Sequence, residues 1–376
     1  MRITVLTHNL SSNAAMRAHR LAQAASRFAD VTLIGPVARA GPWAALPRDI
    51  PIVSVKKRRF PDFFPRFVEL VERADGDVLI AVKPHLASFG AALVAAEKRG
   101  AAVILDVDDL EAALAPRSTW SEDPLTTDLS RPGSMVYVSL LSRAAGAAAA
   151  VTASSTALAR RFHGEVVYHG VDTDLFDPAK VDRDKARRAF GFTGPTVLFA
   201  GTPRGHKGLK ELALAVARIP GAQLAVACRS TDLAGPEWDG LSFHRIPLLP
   251  YGDLPPLLVA ANAIAIPQLA SEAADYQMPM KVFDAMAAAR PIVASAVSDL
   301  PIVLEGCGRL TPPGDVEALV DSISDVLDHP EESQAMGRRA RERCLSRYPL
   351  SETSRLLEKI VGRVMGRPQA PAPALT

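Results

Sequence analysis

Two stretches in the second half of the chain carry side chains suited to holding a diphosphate. The first is Gly201-Thr-Pro-Arg204-Gly-His-Lys207-Gly208, which sets two cations between two glycines. It follows the apolar run 196–200 and precedes a helical pattern at 207–218. Gly201 lets the chain turn sharply, Gly208 opens the helix, and Arg204 and Lys207 stand beside a helix start, the local chemistry of pyrophosphate capture. On spacing alone a solvated basic turn is the stronger reading of this stretch. The second stretch is Gln277 to Ser295, which reads as loop, helix, tight turn and buried strand. Pro279 suits a first helical turn, and Met280, Phe283 and Met286 fall on one face. Such a helix points bare N–H groups at whatever precedes it, a place for phosphate beside Met280 and Lys281. Asp284, about one turn in, could accept hydrogen bonds from a ribose diol, or could be a solvated helix residue.

The first half offers different chemistry. Asp106-Val-Asp108-Asp109 follows the apolar run 102–105. A D-x-D after a strand could bind Mg²⁺ through its carboxylates or could cap its own loop. His85 follows the run 77–82, and reads either as a substrate contact or as a hydrogen-bonded structural histidine. Between Lys56 and Phe67 the chain packs five cations and four phenylalanines. That mixture suits an anionic membrane surface or a lipid-linked acceptor, against the plainer reading of a basic turn whose phenylalanines enter the core.

These groups must be carried by a chain of 376 residues, too long for one ordinary core, so two domains are expected. Hydrophobic content of 48% and a net charge of +2 describe a globular protein with no general attraction to nucleic acid. The cysteines, Cys228, Cys307 and Cys344, have neither disulfide-framework nor zinc spacing, and buried free thiols are expected. No charged-then-apolar leader opens the sequence and no apolar run reaches the ~18 residues of a bilayer span, which points to a reducing, cytoplasmic setting.

Apolar runs at 2–6, 31–34, 52–55, 77–82, 102–105 and 150–153 alternate with helical patterns at 64–71, 86–98 and 136–147. The alternation restarts after His169 and Phe176-Asp177-Pro178, with strands at 196–200, 224–227, 241–246, 263–267 and 292–295. Strands alternating with helices imply a parallel sheet covered on both faces, and ligands bind beyond the carboxyl ends of such strands. Helical patterns at 316–327, 331–345 and 351–364 follow, then a Pro/Ala-rich tail at 367–376 expected to be disordered. Residues 112–134 show little periodicity and read as a long loop closing over an acceptor.

Taken together, the strand–GTPRGHKG–helix unit, PMKVFDAMAAARPIVAS, YHGVDTDLFDP and LTPPGD resemble the family-4-type (GT4) retaining glycosyltransferases. The resemblance covers nearly the whole chain and is strongest over 166–327. It implies an α/β, GT-B architecture: two facing Rossmann-like, doubly wound parallel-sheet domains with an interdomain cleft. The division implied is an acceptor-binding domain at 1–170, a nucleotide-sugar domain at 171–350, and a helix at 351–366 crossing back. The activity implied is metal-independent transfer of a hexosyl group, with retention, from a UDP- or GDP-sugar to a hydroxyl acceptor in bacterial glycan, glycolipid or natural-product synthesis. No cofactor is implied beyond the donor itself.

Carried over by position, Gly201, Arg204, Lys207, Met280 and Lys281 would hold the diphosphate and Asp284 the ribose. Asp284 stands where the family usually has Glu, and Tyr276 stands where it has the first Glu of a pair that touches the donor sugar. Glu272 or Asp275 would then serve from the same loop. Asp106 or Asp108 falls where a histidine usually contacts the sugar, which makes Asp108 a catalytic candidate beside Arg204 and Lys207. The usual glycine-rich loop after the first strand is replaced by Ser11-Ser12-Asn13-Ala14-Ala15, leaving Asn13 and Arg17 as the groups nearest a donor or acceptor. Two alternatives stay open: an epimerase or pseudo-glycosyltransferase on the same fold, and a non-catalytic sugar-nucleotide binding subunit.

Overall fold

The computed structural model describes residues 1–114 and 128–366. The 367–376 tail and the middle of the 112–134 loop lie outside the described residues. The chain divides into two compact units, Met1–Gly170 resumed from Leu350, and Val171–Pro349.

In the first unit seven strands lie in the order β3-β2-β1-β4-β5-β6-β7. They are β1 (Arg2–Thr7), β2 (Asp30–Val37), β3 (Ile52–Lys56), β4 (Val78–Val82), β5 (Ala102–Val107), β6 (Ala150–Ala153) and β7 (Glu165–Val166). All pairings are parallel. Central β4 and β5 are buried at every residue, which is why they read as unbroken apolar runs rather than alternating ones. The Ala15–Ala25 helix leads from β1 to β2 and is buried on nearly every side. The Leu350–Met365 helix packs against it through a face that includes Leu357, Ile360, Val361 and Val364.

The second unit holds six parallel strands in the order β10-β9-β8-β11-β12-β13. They are β8 (Thr196–Ala200), β9 (Gln223–Ala227), β10 (His244–Ile246), β11 (Ala263–Ile266), β12 (Ile292–Ser295) and β13 (Arg309–Thr311). Val197, Phe199, Leu212, Val226, Val293 and Ile323 lie in its core. In each sheet the strand order reverses once, between β1 and β4 and between β8 and β11. Crevices form at such reversals, because neighbouring connections leave on opposite faces.

The expected elements differ at their ends. The helix expected from 207 begins at Leu209, because a tight turn at Gly205–Lys207 and Gly208 at φ 64° intervene. The helix expected around Pro279 starts at Lys281 and has seven residues. Its buried face includes Phe283 and Met286, each fully buried, worth about 1.5–3 kcal/mol apiece, while Met280 stays half-buried at its cap. β7, β13 and the short helices Thr156–Phe162, Arg183–Ala189 and Glu272–Tyr276 had no periodic signal long enough to register. The three cysteines are buried and free.

Candidate functional site

The turn between β8 and the Leu209–Val216 helix stands at the reversal point of the second sheet. Gly201 has φ 140°, a conformation that side-chain-bearing residues avoid. Gly208 is required for a second reason: a Cβ there would fall 1.8 Å from the Pro267 carbonyl oxygen. The turn is thereby pressed onto the loop after β11, and the Leu269 N–H donates to the His206 carbonyl at 2.9 Å. Across the same junction the Lys207 ammonium donates to the Gln277 side-chain carbonyl. Arg204 is exposed.

Lys281 reaches back toward this turn. Its ammonium lies 4.0 Å from the centre of the buried Phe199 ring. Burial, reinforced by repulsion from Lys207, pulls it down to about 7. The ring face favours the charged form, but by only about 0.5–1 kcal/mol, so desolvation wins. Asp284 is buried one turn further along, and the Tyr251 hydroxyl donates to its Oδ1 at 2.9 Å. Tyr251 in turn packs on Phe176, 5.3 Å between ring centres. Glu272 and Asp275 are exposed on the Glu272–Tyr276 helix, whose start is capped by the Ser271 hydroxyl, and Tyr276 is half-buried. Gly201, Arg204, Lys207, Lys281 and Asp284 thus gather in one unit around one strand end. Gln277, Tyr251 and Phe199 were not legible, since each acts through tertiary contact alone.

The remaining expected residues belong to the first unit, and two of them are placed for a different job. Arg17 is buried and grips Asp106 by two bonds, Nε to Oδ2 at 2.9 Å and Nη2 to Oδ1 at 2.8 Å. Thr152 donates to Asp106 Oδ1 at 2.6 Å, and Arg17 also donates to the Val167 carbonyl at 2.7 Å. Both groups are fully enclosed and turned to each other. Desolvation makes a buried charge affordable only in such a pair. Asn13 remains exposed at the end of the loop after β1.

His85 and Asp108 belong to a cluster that the sequence only half disclosed. Lys83, just past β4, has φ 68°, a strained position for a residue with a side chain. Its ammonium meets Asp109 at 2.5 Å, Glu111 at 2.6 Å and Asp108 at 3.4 Å. Burial works against the charge on Lys83, yet the three carboxylates outweigh it and hold the lysine well above its ordinary value. Glu111 is likewise held low: burial opposes ionisation, but Lys83 and His85 more than offset it. Asp108 goes the other way, pushed up to about 7 by burial that Lys83 offsets only in part.

His85 Nε2 lies 3.1 Å from Glu111, and its ring stacks on His8 at 3.9 Å between centres. His8 is held well below its ordinary value, first by burial and then by His85. Three buried polar atoms here make no hydrogen bond: Nδ1 of His8, Nδ1 of His85 and Oδ1 of Asp108. The K-x-H after β4 and the D-D-x-E after β5 were the available signals. Among the described residues no group of three His, Cys, Asp or Glu side chains is placed to hold a metal ion. The D-x-D carboxylates are divided between Arg17 and Lys83.

The basic-aromatic run is also divided. Phe63 is buried at the start of the Phe63–Arg73 helix, whereas Phe64 is 63% exposed and Lys56 to Arg59 are all exposed. Among the described residues no helix is long and apolar enough to cross a membrane.

Comparison with known proteins places these features. Residues 194–329 match the family described as Glycosyl transferases group 1. The D-inositol 3-phosphate glycosyltransferase of Mycobacterium avium is 31% identical over 193 residues, 47% of this chain and 43% of that protein. The chain therefore spans less than half the length of this curated relative. Sucrose-phosphate synthase from Thermosynechococcus elongatus superposes with a TM-score of 0.75 at 16% identity, covering 97% of this chain and 99% of the other. Anabaena HepE in complex with UDP-glucose superposes with a TM-score of 0.73 at 16% identity, covering 96% and 100%. Both likenesses establish the fold. The matched segment begins just before β8 and takes in the Gly201–Gly208 turn and the Lys281–Ala287 helix, and the chain as a whole has the GT-B fold.

Proposed function

We propose that this protein transfers a sugar from a nucleotide diphosphate donor, a UDP- or GDP-sugar, to a hydroxyl acceptor with retention of anomeric configuration. The observation that carries the reading is the coincidence of the matched family segment with the cation-bearing turn at the sheet reversal. Arg204 and Lys207 are the groups that take the donor's diphosphate. As the glycosidic bond breaks, negative charge grows on the departing diphosphate, and fixed cations beside it lower that barrier without a proton transfer. Asp284, oriented by Tyr251, is the ribose ligand, and Met280 and Lys281 complete the phosphate side. The HepE structure, which holds UDP-glucose, supports a nucleotide-sugar donor.

On the first unit, the His8–His85–Asp108 group supplies polar atoms for a sugar or acceptor hydroxyl. The exposed cations of Lys56 to Arg59 beside Phe64 suit a lipid-linked acceptor at an anionic inner membrane face.

The test is a thermal-shift series with UDP, GDP, ADP and their common sugars on wild type and Lys207→Ala, followed by transfer with the donor so found. A shift with one nucleotide that disappears in the variant supports the donor site. NMR of the product's anomeric coupling then reads retention directly. No shift with any nucleotide, in a folded sample, overturns the reading.

A further inference from the structure

The surroundings of Lys281 are unbalanced in charge. Its ammonium rests on the Phe199 ring at the end of β8, and a Cβ on Gly201 would stand 3.4 Å from its Nζ, so it lines the inside of the phosphate turn. Among the described residues no carboxylate pairs with it. The charged group that bears on it is another cation, Lys207. Arg204 and His206 share that turn, and Asp284, three residues along its own helix, is bonded to Tyr251. An enclosed ammonium with a second cation beside it and no carboxylate paired to it favours the loss of its proton while the site is empty, and the fall of Lys281 to about 7 agrees with this.

We propose that a diphosphate-bearing ligand enters this turn together with one proton, which Lys281 takes from solvent and holds as an ammonium. The incoming anion supplies the counter-charge that the protein does not, so the lysine that was neutral becomes charged on binding. No covalent bond changes; a nitrogen lone pair gains a proton. The inference rests on the donor reading above, and it makes donor affinity a function of pH through a residue outside the Arg204–Lys207 pair.

The linkage has a definite sign. The bound state holds more protons than the free state above about pH 7, so affinity falls as pH rises. With the free lysine near 7, uptake is about 0.1 proton at pH 6, about 0.5 at pH 7 and about 0.9 at pH 8, and affinity drops about tenfold from pH 6 to pH 8.

The experiment is calorimetry of UDP-glucose binding, with GDP-mannose and ADP-glucose as further probes, in buffers of different ionisation heat at pH 6 and pH 8. A nucleotide sugar's diphosphate is a diester and does not titrate in this range, so any proton taken up belongs to the protein. Wild type is expected to take up close to one proton at pH 8 and little at pH 6. Lys281→Met should show no uptake and a flat pH dependence. Lys281→Arg, permanently charged, should also show no uptake but should retain affinity at pH 8. Binding with no buffer-dependent heat overturns the proposal and leaves the donor reading standing, as does uptake that persists in Lys281→Met. Failure of all three nucleotide sugars to bind overturns both.

Discussion

The guanidinium of Arg17 and the carboxylate of Asp106 form a two-point pair, 2.9 and 2.8 Å, in which neither partner is more than 1% exposed. The pair joins the Ala15–Ala25 helix to β5 and, through the Val167 carbonyl, to the segment after β7. Removing one partner strands the other in a medium that cannot solvate it. Arg17→Met or Asp106→Leu alone should each lower the unfolding free energy by about 3–5 kcal/mol, and the double substitution should recover much of that loss. Urea titrations of the three variants test this; additive losses would contradict it.

Gly208 is a steric requirement before it is anything else. Gly208→Ala places a methyl against the Pro267 carbonyl and strains a left-handed residue, so a cost of at least about 2 kcal/mol is expected. The same change should abolish the nucleotide-induced thermal shift, since the turn can no longer sit on the β11 loop. Unchanged melting temperature and unchanged binding would show that the turn is not held as described.

Lys207→Ala should separate binding from folding. The Lys207 side chain is half-buried and donates to Gln277, so its loss is expected to change stability by less than about 1 kcal/mol. A charge-assisted contact to a diphosphate is worth about 1.5–3 kcal/mol, so donor affinity should fall by about 10- to 150-fold. Titration calorimetry beside urea unfolding distinguishes the two effects.

Asp108 should leave a mark on stability against pH. Its native value of about 7 exceeds its ordinary 3.8, so between these values the unfolded chain is ionised while the native carboxyl keeps its proton. The native state binds more protons there, and stability falls as pH rises from about 4 to 7, then levels. Asp108→Asn removes the group. The variant should gain about 1–3 kcal/mol relative to wild type between pH 5 and pH 8. A constant difference across that range would refute the assignment.

How much could be read beforehand depends on whether a residue announces itself locally. The buried strands did so, because β4 and β5 are apolar at almost every position, and so did the glycines and cations of the 201–208 turn. Asp106 and Arg17 did not: an acid after a strand and a base on a helix look identical whether they face a ligand or each other. Only the tertiary fold brings residues 89 apart in sequence into a bidentate pair. Lys83 and Glu111 were hidden for the same reason, and the Lys281–Phe199 contact could not be inferred because nothing in either stretch names its partner.

The return of the chain to its first unit has a consequence for biosynthesis. The seven strands of that unit are all translated by Val166, but the Leu350–Met365 helix that covers the Ala15–Ala25 helix emerges only after the whole of the second unit. During synthesis the first sheet therefore waits, with an apolar helix face uncovered, while 171–349 folds. Ribosome-bound chains halted near residue 349 should present a finished second unit and an unfinished first one, and would be the species most in need of a chaperone.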